Sequence, residues 1–147
     1  MTTNEFLNEF LVLVQLNSWP YPFQFQVLRP MVVCKDGFKV SIQASEGHYC
    51  YPRIDTNRSI PYEKVELGFP SEAVPEWLEY AEDPSKPTDT VYGYIPVELV
   101  DIGLAKHGGI DLEKMKEHYI QSMTEAERTT EEQYNKFLEI FRKLGAE

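Results

Sequence analysis

Three features of the sequence predict an α+β fold with an N-terminal helix, a small antiparallel β-meander of about four strands and a helical C-terminal part. A turn lies between two β-rich runs near residue 36, apolar and polar residues alternate over residues 62–69, and apolar residues at helical spacing occupy both ends of the chain. The length of 147 residues fits one domain. We therefore expect a single domain over residues 1–147, with the sheet within residues 31–110 and C-terminal helices over residues 111–147.

Residues 2–16 predict the N-terminal helix. Thr2 and Glu5 have the spacing of a capping box, in which each side chain satisfies a free amide of the first turn. Apolar residues follow at helical spacing, namely Phe6, Phe10, Leu13 and Val14. The consecutive apolar residues 11–14 are also typical of a strand, so the end of this helix stays open.

Residues 18–30 predict an aromatic connector or an edge strand, because Pro20, Pro22 and Pro30 exclude a helix. Stacking on nucleic-acid bases is a second use for the aromatic residues of this part of the chain. Their few cationic companions favour packing within the fold instead. The residues concerned are Trp19, Tyr21, Phe23, Phe25, Tyr49 and Tyr51.

Residues 31–43 give the clearest prediction, a β-hairpin. Asp36-Gly37 separates two β-rich runs, and glycine tolerates the positive φ that such turns require. A loop with a short strand at residues 49–51 follows. Alternation then predicts a strand over residues 62–69, whose inward side chains are Val65, Leu67 and Phe69.

The rest of the chain predicts one more strand and several helices. Residues 75–80 suit a short helical turn, residues 82–90 a polar loop and residues 90–95 a fourth strand. A helix is expected from Pro96 to His107, where Gly108-Gly109 ends it, and another from Asp111 to Met123. Thr129 and Glu132 could cap a last helix with a marked apolar stripe, formed by Tyr134, Phe137, Leu138, Phe141 and Leu144.

The negative charge is concentrated in the middle of the chain. The net charge is −10, and residues 62–101 hold ten acidic residues against Lys64 and Lys86. An acidic chain is a poor ligand for phosphates, so we do not expect ordinary sequence-nonspecific binding of nucleic acid. A docking surface for a basic protein groove is one interpretation, and a solvated surface is another. The carboxylates expected to bind the partner are Glu63, Glu66, Glu72, Glu76, Glu79, Glu82, Asp83 and Asp89.

Metal and cofactor chemistry has little support in the sequence. Glu79, Glu82, Asp83 and Asp89 could supply oxygen ligands to a cation, but the pattern of a calcium-binding loop is absent.

Three other residues, Cys34, His48 and Cys50, could supply part of a zinc site, yet no C-x-x-C pair accompanies them. We expect packed thiols, no metal and no cofactor.

No nucleophile, phosphate-binding or metalloprotease motif occurs, so we expect a protein that is not an enzyme. His107 suits the C-terminal end of a helix better than general-base catalysis.

The chain starts without a basic segment or a long apolar run, which predicts a cytoplasmic protein with two free thiols.

Part of the chain resembles a group of mobile-element proteins. The segments MVVCKDGFKVSIQAS (31–45), YEKVELGFPSE (62–72), YAEDPSKPTDTVYGYIPVELV (80–100) and KHGGI (106–110) are similar to small uncharacterised proteins encoded by phages and prophages of Firmicutes. The resemblance covers roughly residues 31–110 and carries no catalytic residue. It implies an accessory protein of the bacterial host cytoplasm, a class that includes inhibitors of host defence such as anti-CRISPR proteins.

Three functions follow as hypotheses. The first is an inhibitor that binds a nucleic-acid-targeting defence nuclease through its acidic surface. The second is a nucleotide-binding protein or an enzyme acting on a defence signal, with a pocket formed by Tyr49, Tyr92, Tyr94, Arg53 and Arg58. The third is a structural or regulatory module that forms homodimers through the C-terminal helices.

Overall fold

The protein has an α+β fold, as the sequence predicts. The computed structural model describes residues 1–16, 24–122 and 131–146. The N-terminal helix is α1, Thr3–Glu9, and the C-terminal helices are α2, Val97–Lys106, α3, Leu112–Ser122, and α4, Glu131–Lys143. Between them lie β1 to β6 and one 3₁₀ helix, Pro75–Tyr80. The strands are Leu13–Leu16, Gln24–Val27, Val32–Val33, Lys39–Gln43, Lys64–Gly68 and Val91–Pro96.

The central sheet is antiparallel, with the strands in the order β3-β4-β5-β6. The predicted hairpin joins β3 to β4, and Gly37 at its turn has a φ of 96°. Strands β1 and β2 form a separate antiparallel pair. Because each strand of the sheet follows its neighbour in sequence, the sheet is the meander that the alternation pattern predicts.

A β-bulge interrupts the pairing of β5 with β6. Val65 pairs with Ile95 and Leu67 pairs with Tyr92, so Glu66 faces both Gly93 and Tyr94. Tyr94 has a left-handed backbone with a φ of 52°. The loop after β4 crosses this point, where the amide of Tyr94 donates to the carbonyl of Tyr49 at 3.0 Å. A side chain at position 93 would press on Tyr49, since its Cβ would lie 3.3 Å from the tyrosine Cβ. Glycine there permits the crossing.

The inner face of the sheet packs on α2 and the 3₁₀ helix. Val40, Ile42, Val65 and Leu67 point inward and are fully buried. Trp77 of the 3₁₀ helix is also fully buried, and its indole N–H donates to the carbonyl of Leu99 at 3.0 Å. That hydrogen bond satisfies the polar atom of a large buried ring and fixes the 3₁₀ helix to α2.

Aromatic rings join α1, α3 and α4 into the second part of the core. The rings of Phe10 and Phe141 lie 4.9 Å apart, and that of Tyr119 lies 5.4 Å from Phe137. The predicted apolar stripe of α4 therefore packs inside its own chain. The exposed residues of α4 that the structure describes are polar, namely Asn135, Lys136, Glu139, Arg142 and Lys143.

Two predictions of local structure are wrong. The N-terminal helix ends at Glu9 rather than at residue 16, because Leu13 to Leu16 gain interstrand hydrogen bonds by pairing with β2. Phe69 does not point inward with Val65 and Leu67. Its φ of 51° breaks the alternation, and its side chain is 51% exposed.

Some predictions fall outside the described residues. These are the surroundings of Trp19, Tyr21 and Phe23, the end of α3 at Met123 and the capping box at Thr129. Among the helices in the described ranges, none combines the length and the apolar composition needed to cross a bilayer.

Candidate protein-binding surface

One end of the β5–β6 pair gathers most of the acidic side chains that the sequence singled out. Gly68 pairs with Val91, and the amide of Phe69 donates to the carbonyl of Thr90 at 3.1 Å, so the end of β5 lies beside the start of β6. The segment after β5, the 3₁₀ helix and the loop before β6 all meet here. The carboxylates they carry are Glu72, Glu76, Glu79, Glu82, Asp83 and Asp89, which we call the acidic end.

Backbone hydrogen bonds hold the loop of residues 82–90 closed. The amide of Glu82 donates to the carbonyl of Val91 at 2.9 Å, and the amide of Asp83 donates to the hydroxyl of Thr90 at 3.0 Å. Beneath the loop, the buried hydroxyl of Tyr92 donates to the carbonyl of Pro87 at 2.5 Å. The carboxylates of this loop are therefore presented on a fixed backbone.

Two carboxylates of the acidic end have partners at the C-terminal end of α2. Glu76 forms an ion pair with Lys106, and that hydrogen bond is the main cause that lowers the pKa of the Glu76 carboxyl. An oxygen of Glu72 lies 3.3 Å from Nε2 of His107. Both contacts attach the acidic end to α2, and Lys106 neutralises one of its charges.

Three other carboxylates of the acidic end remain open. Glu79, Glu82 and Asp89 are exposed, and their carboxylates form no hydrogen bond or ion pair with any residue in the described ranges. Asp83 is partly engaged, since one of its oxygens accepts from both the amide and the hydroxyl of Ser85. The acidic end thus keeps unsatisfied negative charge facing solvent.

The imidazole of His107 lies between two carboxylates. Its Nδ1 is 2.7 Å from an oxygen of Asp36 and its Nε2 faces Glu72, while the ring stacks on Phe38 with a centroid distance of 4.0 Å. The amide of Phe38, and then His107, lower the pKa of the Asp36 carboxyl. Through these contacts His107 joins the hairpin turn to the end of α2.

Glu63 and Glu66 lie away from the acidic end. Glu66 is in the middle of β5, where its carboxylate accepts from the amide of Tyr49 at 3.2 Å. Glu63 precedes β5, and its carbonyl accepts from Val97 at the opposite end of the strand pair. The five residues of β5 extend about 17 Å and separate Glu63 from Phe69, whereas Glu66 is about 10 Å from Phe69 along the strand. Six of the eight predicted carboxylates thus lie on the connection between β5 and β6, and these two lie outside it.

Cys34, His48 and Cys50 do not share one site. Cys34 lies beside Phe38 at the start of β4, whereas Cys50 contacts the carbonyl of Ser45 beyond the end of β4. Both thiols are free and buried, and burial raises the pKa of Cys34 to about 11. Nδ1 of His48 lies 2.6 Å from the Ser45 hydroxyl, and burial lowers the pKa of this imidazole. In the described part of the chain, no group of three His, Cys, Asp or Glu residues could hold a metal ion.

One residue predicted to line the nucleotide pocket, Tyr92, does not lie at the surface. Tyr92 is fully buried and points into the core, because it pairs with inward-facing Leu67. Tyr49 and Tyr94 are exposed, with ring centroids 5.8 Å apart, and the guanidinium of Arg53 lies over the ring of Tyr49. These residues form an open aromatic surface.

Sequence reasoning missed Phe69 as a surface residue. The alternation of residues 62–69 assigned it to the core, and no turn motif predicts its left-handed backbone. Its position directly after β5 places an exposed aromatic residue at the start of the segment that carries the acidic end.

Comparison of the chain with protein-family models, curated proteins and solved structures finds no match.

Proposed function

We propose that this protein inhibits a nucleic-acid-targeting nuclease of a bacterial defence system by docking its acidic end on the cationic groove of that nuclease. The observation that carries the proposal is the cluster of six carboxylates at one end of the β5–β6 pair, three of which have no partner among the described residues. The proposed contact excludes Glu63 and Glu66, which lie elsewhere.

Such a contact would gain affinity from the release of counterions and would form faster because opposite charges attract at long range. A groove that binds nucleic acid carries Lys and Arg side chains arranged to meet phosphates. Carboxylates held on a closed loop can meet the same side chains, and a net charge of −10 accelerates the encounter with a basic surface. The inhibitor would compete with the nucleic acid for the groove.

The bacterial setting comes from the resemblance to phage and prophage accessory proteins. Phages gain from inhibitors of nucleases that cut their genomes, and RNA-guided nucleases hold their nucleic acids in positively charged channels. An anti-CRISPR protein is therefore the form of the proposal that we expect to test first.

The experiment uses purified Cas9-type and Cas12-type nucleases loaded with guide RNA. We expect this protein to bind at least one of them, to slow its DNA cleavage, and to bind more weakly as salt is raised from about 50 to 200 mM. Absence of binding and inhibition across the panel would contradict the proposal. Binding that is insensitive to salt would contradict the acidic contact.

The two other hypotheses have weaker geometric support. The dimerisation hypothesis relied on the apolar stripe of α4, whose Phe137 and Phe141 are buried within the same chain. The nucleotide-binding hypothesis loses Tyr92 from its pocket. A nucleotide that raises the melting temperature in a concentration-dependent manner would revive it.

A further inference from the structure

We infer that Phe69 is the apolar anchor of the proposed docking surface, and this inference rests on the proposed function. The side chain of Phe69 is 51% exposed and lies outside the hydrophobic core. Its ring stacks on no other aromatic ring in the described ranges. About half of the Phe69 side chain is therefore accessible to a partner.

The backbone of Phe69 makes its exposure more informative. A φ of 51° is unfavourable for a side chain with a Cβ, and glycine or asparagine would adopt it at a lower cost in free energy. Tyr94 has the same left-handed backbone, but the fold accounts for it, since Tyr94 lies in the bulge and its ring contacts that of Tyr49. In the described ranges the ring of Phe69 has no aromatic neighbour of this kind.

The charges around Phe69 identify the chemistry of its partner. Its amide donates to the carbonyl of Thr90, which follows Asp89, and the Thr90 hydroxyl accepts from the amide of Asp83. The amide of Glu82 donates to the carbonyl of Val91, the first residue of β6. Against these carboxylates and Glu72 are three lysines near this end, namely Lys39, Lys86 and Lys106, of which Lys106 is paired with Glu76. An exposed ring within this excess of negative charge fits a cationic protein surface that contains an apolar recess.

This arrangement matches the usual organisation of a protein interface. Aromatic side chains near the centre contribute most of the binding energy, while charged side chains at the rim set orientation and association rate. A nucleic acid is an unsuitable partner because its phosphates would be repelled. A second copy of the chain would bring the same carboxylates face to face, so a basic partner is the occupant we propose.

The test compares variants that suit the left-handed backbone. Phe69→Asn and Phe69→Gly remove the ring and keep the carboxylates, and Tyr94→Asn is the matched control at the second left-handed residue. The probe is the guide-loaded nuclease that the parent protein inhibits. We expect the Phe69 variants to melt at or above the parent temperature and to bind about thirtyfold more weakly, the loss typical of a central interface residue. We expect Tyr94→Asn to bind within about threefold of the parent.

The possible results separate the proposed role of Phe69 from the proposed function of the protein. Parent-like binding by both Phe69 variants would overturn the anchor and leave the acidic contact in place. A marked fall in their melting temperatures would overturn it as well, because the ring would then be structural. If the parent protein inhibits no nuclease in the panel, the proposed function fails and the anchor fails with it. A dimer of the parent that Phe69→Asn dissociates would assign the surface to a second copy and contradict the basic partner.

Discussion

At the scale of single residues, the acidic side chains of the middle of the chain have two different roles. Asp101 is one of them, yet one of its oxygens accepts from both the amide of Thr3 at 2.8 Å and the Thr3 hydroxyl at 2.5 Å. This carboxylate satisfies a free amide at the start of α1 and ties that helix to α2. Part of the charge that the sequence suggests for binding is therefore used to hold the fold together.

Removing the Asp101 carboxylate is expected to destabilise the protein. Asp101→Ala leaves the Thr3 amide and hydroxyl without their acceptor, and we expect a loss of about 1–2 kcal/mol in the free energy of unfolding. Glu98→Ala on the same helix is the matched control, since Glu98 is exposed, and we expect a change within about 0.5 kcal/mol. Urea unfolding of the two variants measures the difference, and equal losses would contradict the role of Asp101.

Asp36 provides a prediction for the acid range. The amide of Phe38 and the imidazole of His107 lower its pKa, so the folded state favours the ionised carboxyl. This stabilisation is present above the pKa of the unfolded chain, near about 3.9, and disappears as the pH falls through the lower folded-state pKa. Asp36→Asn should be less stable than the parent at pH 7 and approach it at low pH. Urea unfolding at both pH values checks this, and a gap that widens on acidification would contradict it.

At the scale of elements, the contact between α2 and the 3₁₀ helix depends on the absence of a side chain. A Cβ at Gly103 would lie 2.9 Å from Cε2 of the buried Trp77 and closer still to Cζ2. Both groups are fixed, because the indole N–H is hydrogen-bonded to Leu99 of the same helix. The glycine is therefore required by packing.

Gly103→Ala is expected to reverse the usual effect of alanine in a helix. Alanine raises the stability of an exposed helix by about 1 kcal/mol relative to glycine. Here the clash with Trp77 should instead lower the free energy of unfolding by about 1–3 kcal/mol. Gly47→Ala is the control, because its Cβ would have open space apart from the Ser45 hydroxyl oxygen at 3.7 Å. Thermal unfolding compares them, and stabilisation by Gly103→Ala would contradict the packing.

The elements that the sequence predicts well are those whose pattern is local. Strands β4 and β5 follow from strict alternation, the hairpin from Asp36-Gly37, and α2 from Pro96 and Gly108-Gly109 at its ends. The end of α1 depends on pairing between β1 and β2, because the apolar residues 11–14 suit either a helix or a strand and only that pairing decides between them. The left-handed backbone of Phe69 breaks an alternation that continues regularly up to Gly68.

The sequence could predict that the carboxylates of the acidic end are concentrated in the middle of the chain, but not how they are arranged. Charge counting found its carboxylates, but which of them lie together depends on the antiparallel register of β5 and β6. Glu72 and Glu76 find their partners, His107 and Lys106, about thirty residues further along the chain, at the end of α2. Contacts of that kind arise from the tertiary fold, so the sequence pattern could not separate paired from open carboxylates.

At the scale of the whole molecule, an overall negative charge is combined with one local acidic surface. The net charge of −10 acts at long range and raises the rate of encounter with any basic partner. Specific binding requires that the carboxylates of the acidic end make the contact themselves. The two contributions can be separated by removing equal charge at different places.

The most direct measurement is the affinity of a guide-loaded target nuclease for two triple variants of equal charge. Glu79→Gln/Glu82→Gln/Asp89→Asn neutralises the open carboxylates of the acidic end, and Glu63→Gln/Glu98→Gln/Glu117→Gln neutralises exposed carboxylates elsewhere. We expect the first variant to bind at least about tenfold more weakly than the parent, with a smaller dependence on salt, and the second to bind within about threefold. Equal weakening of both variants, or a larger loss in the second, would contradict the acidic end as the contact surface.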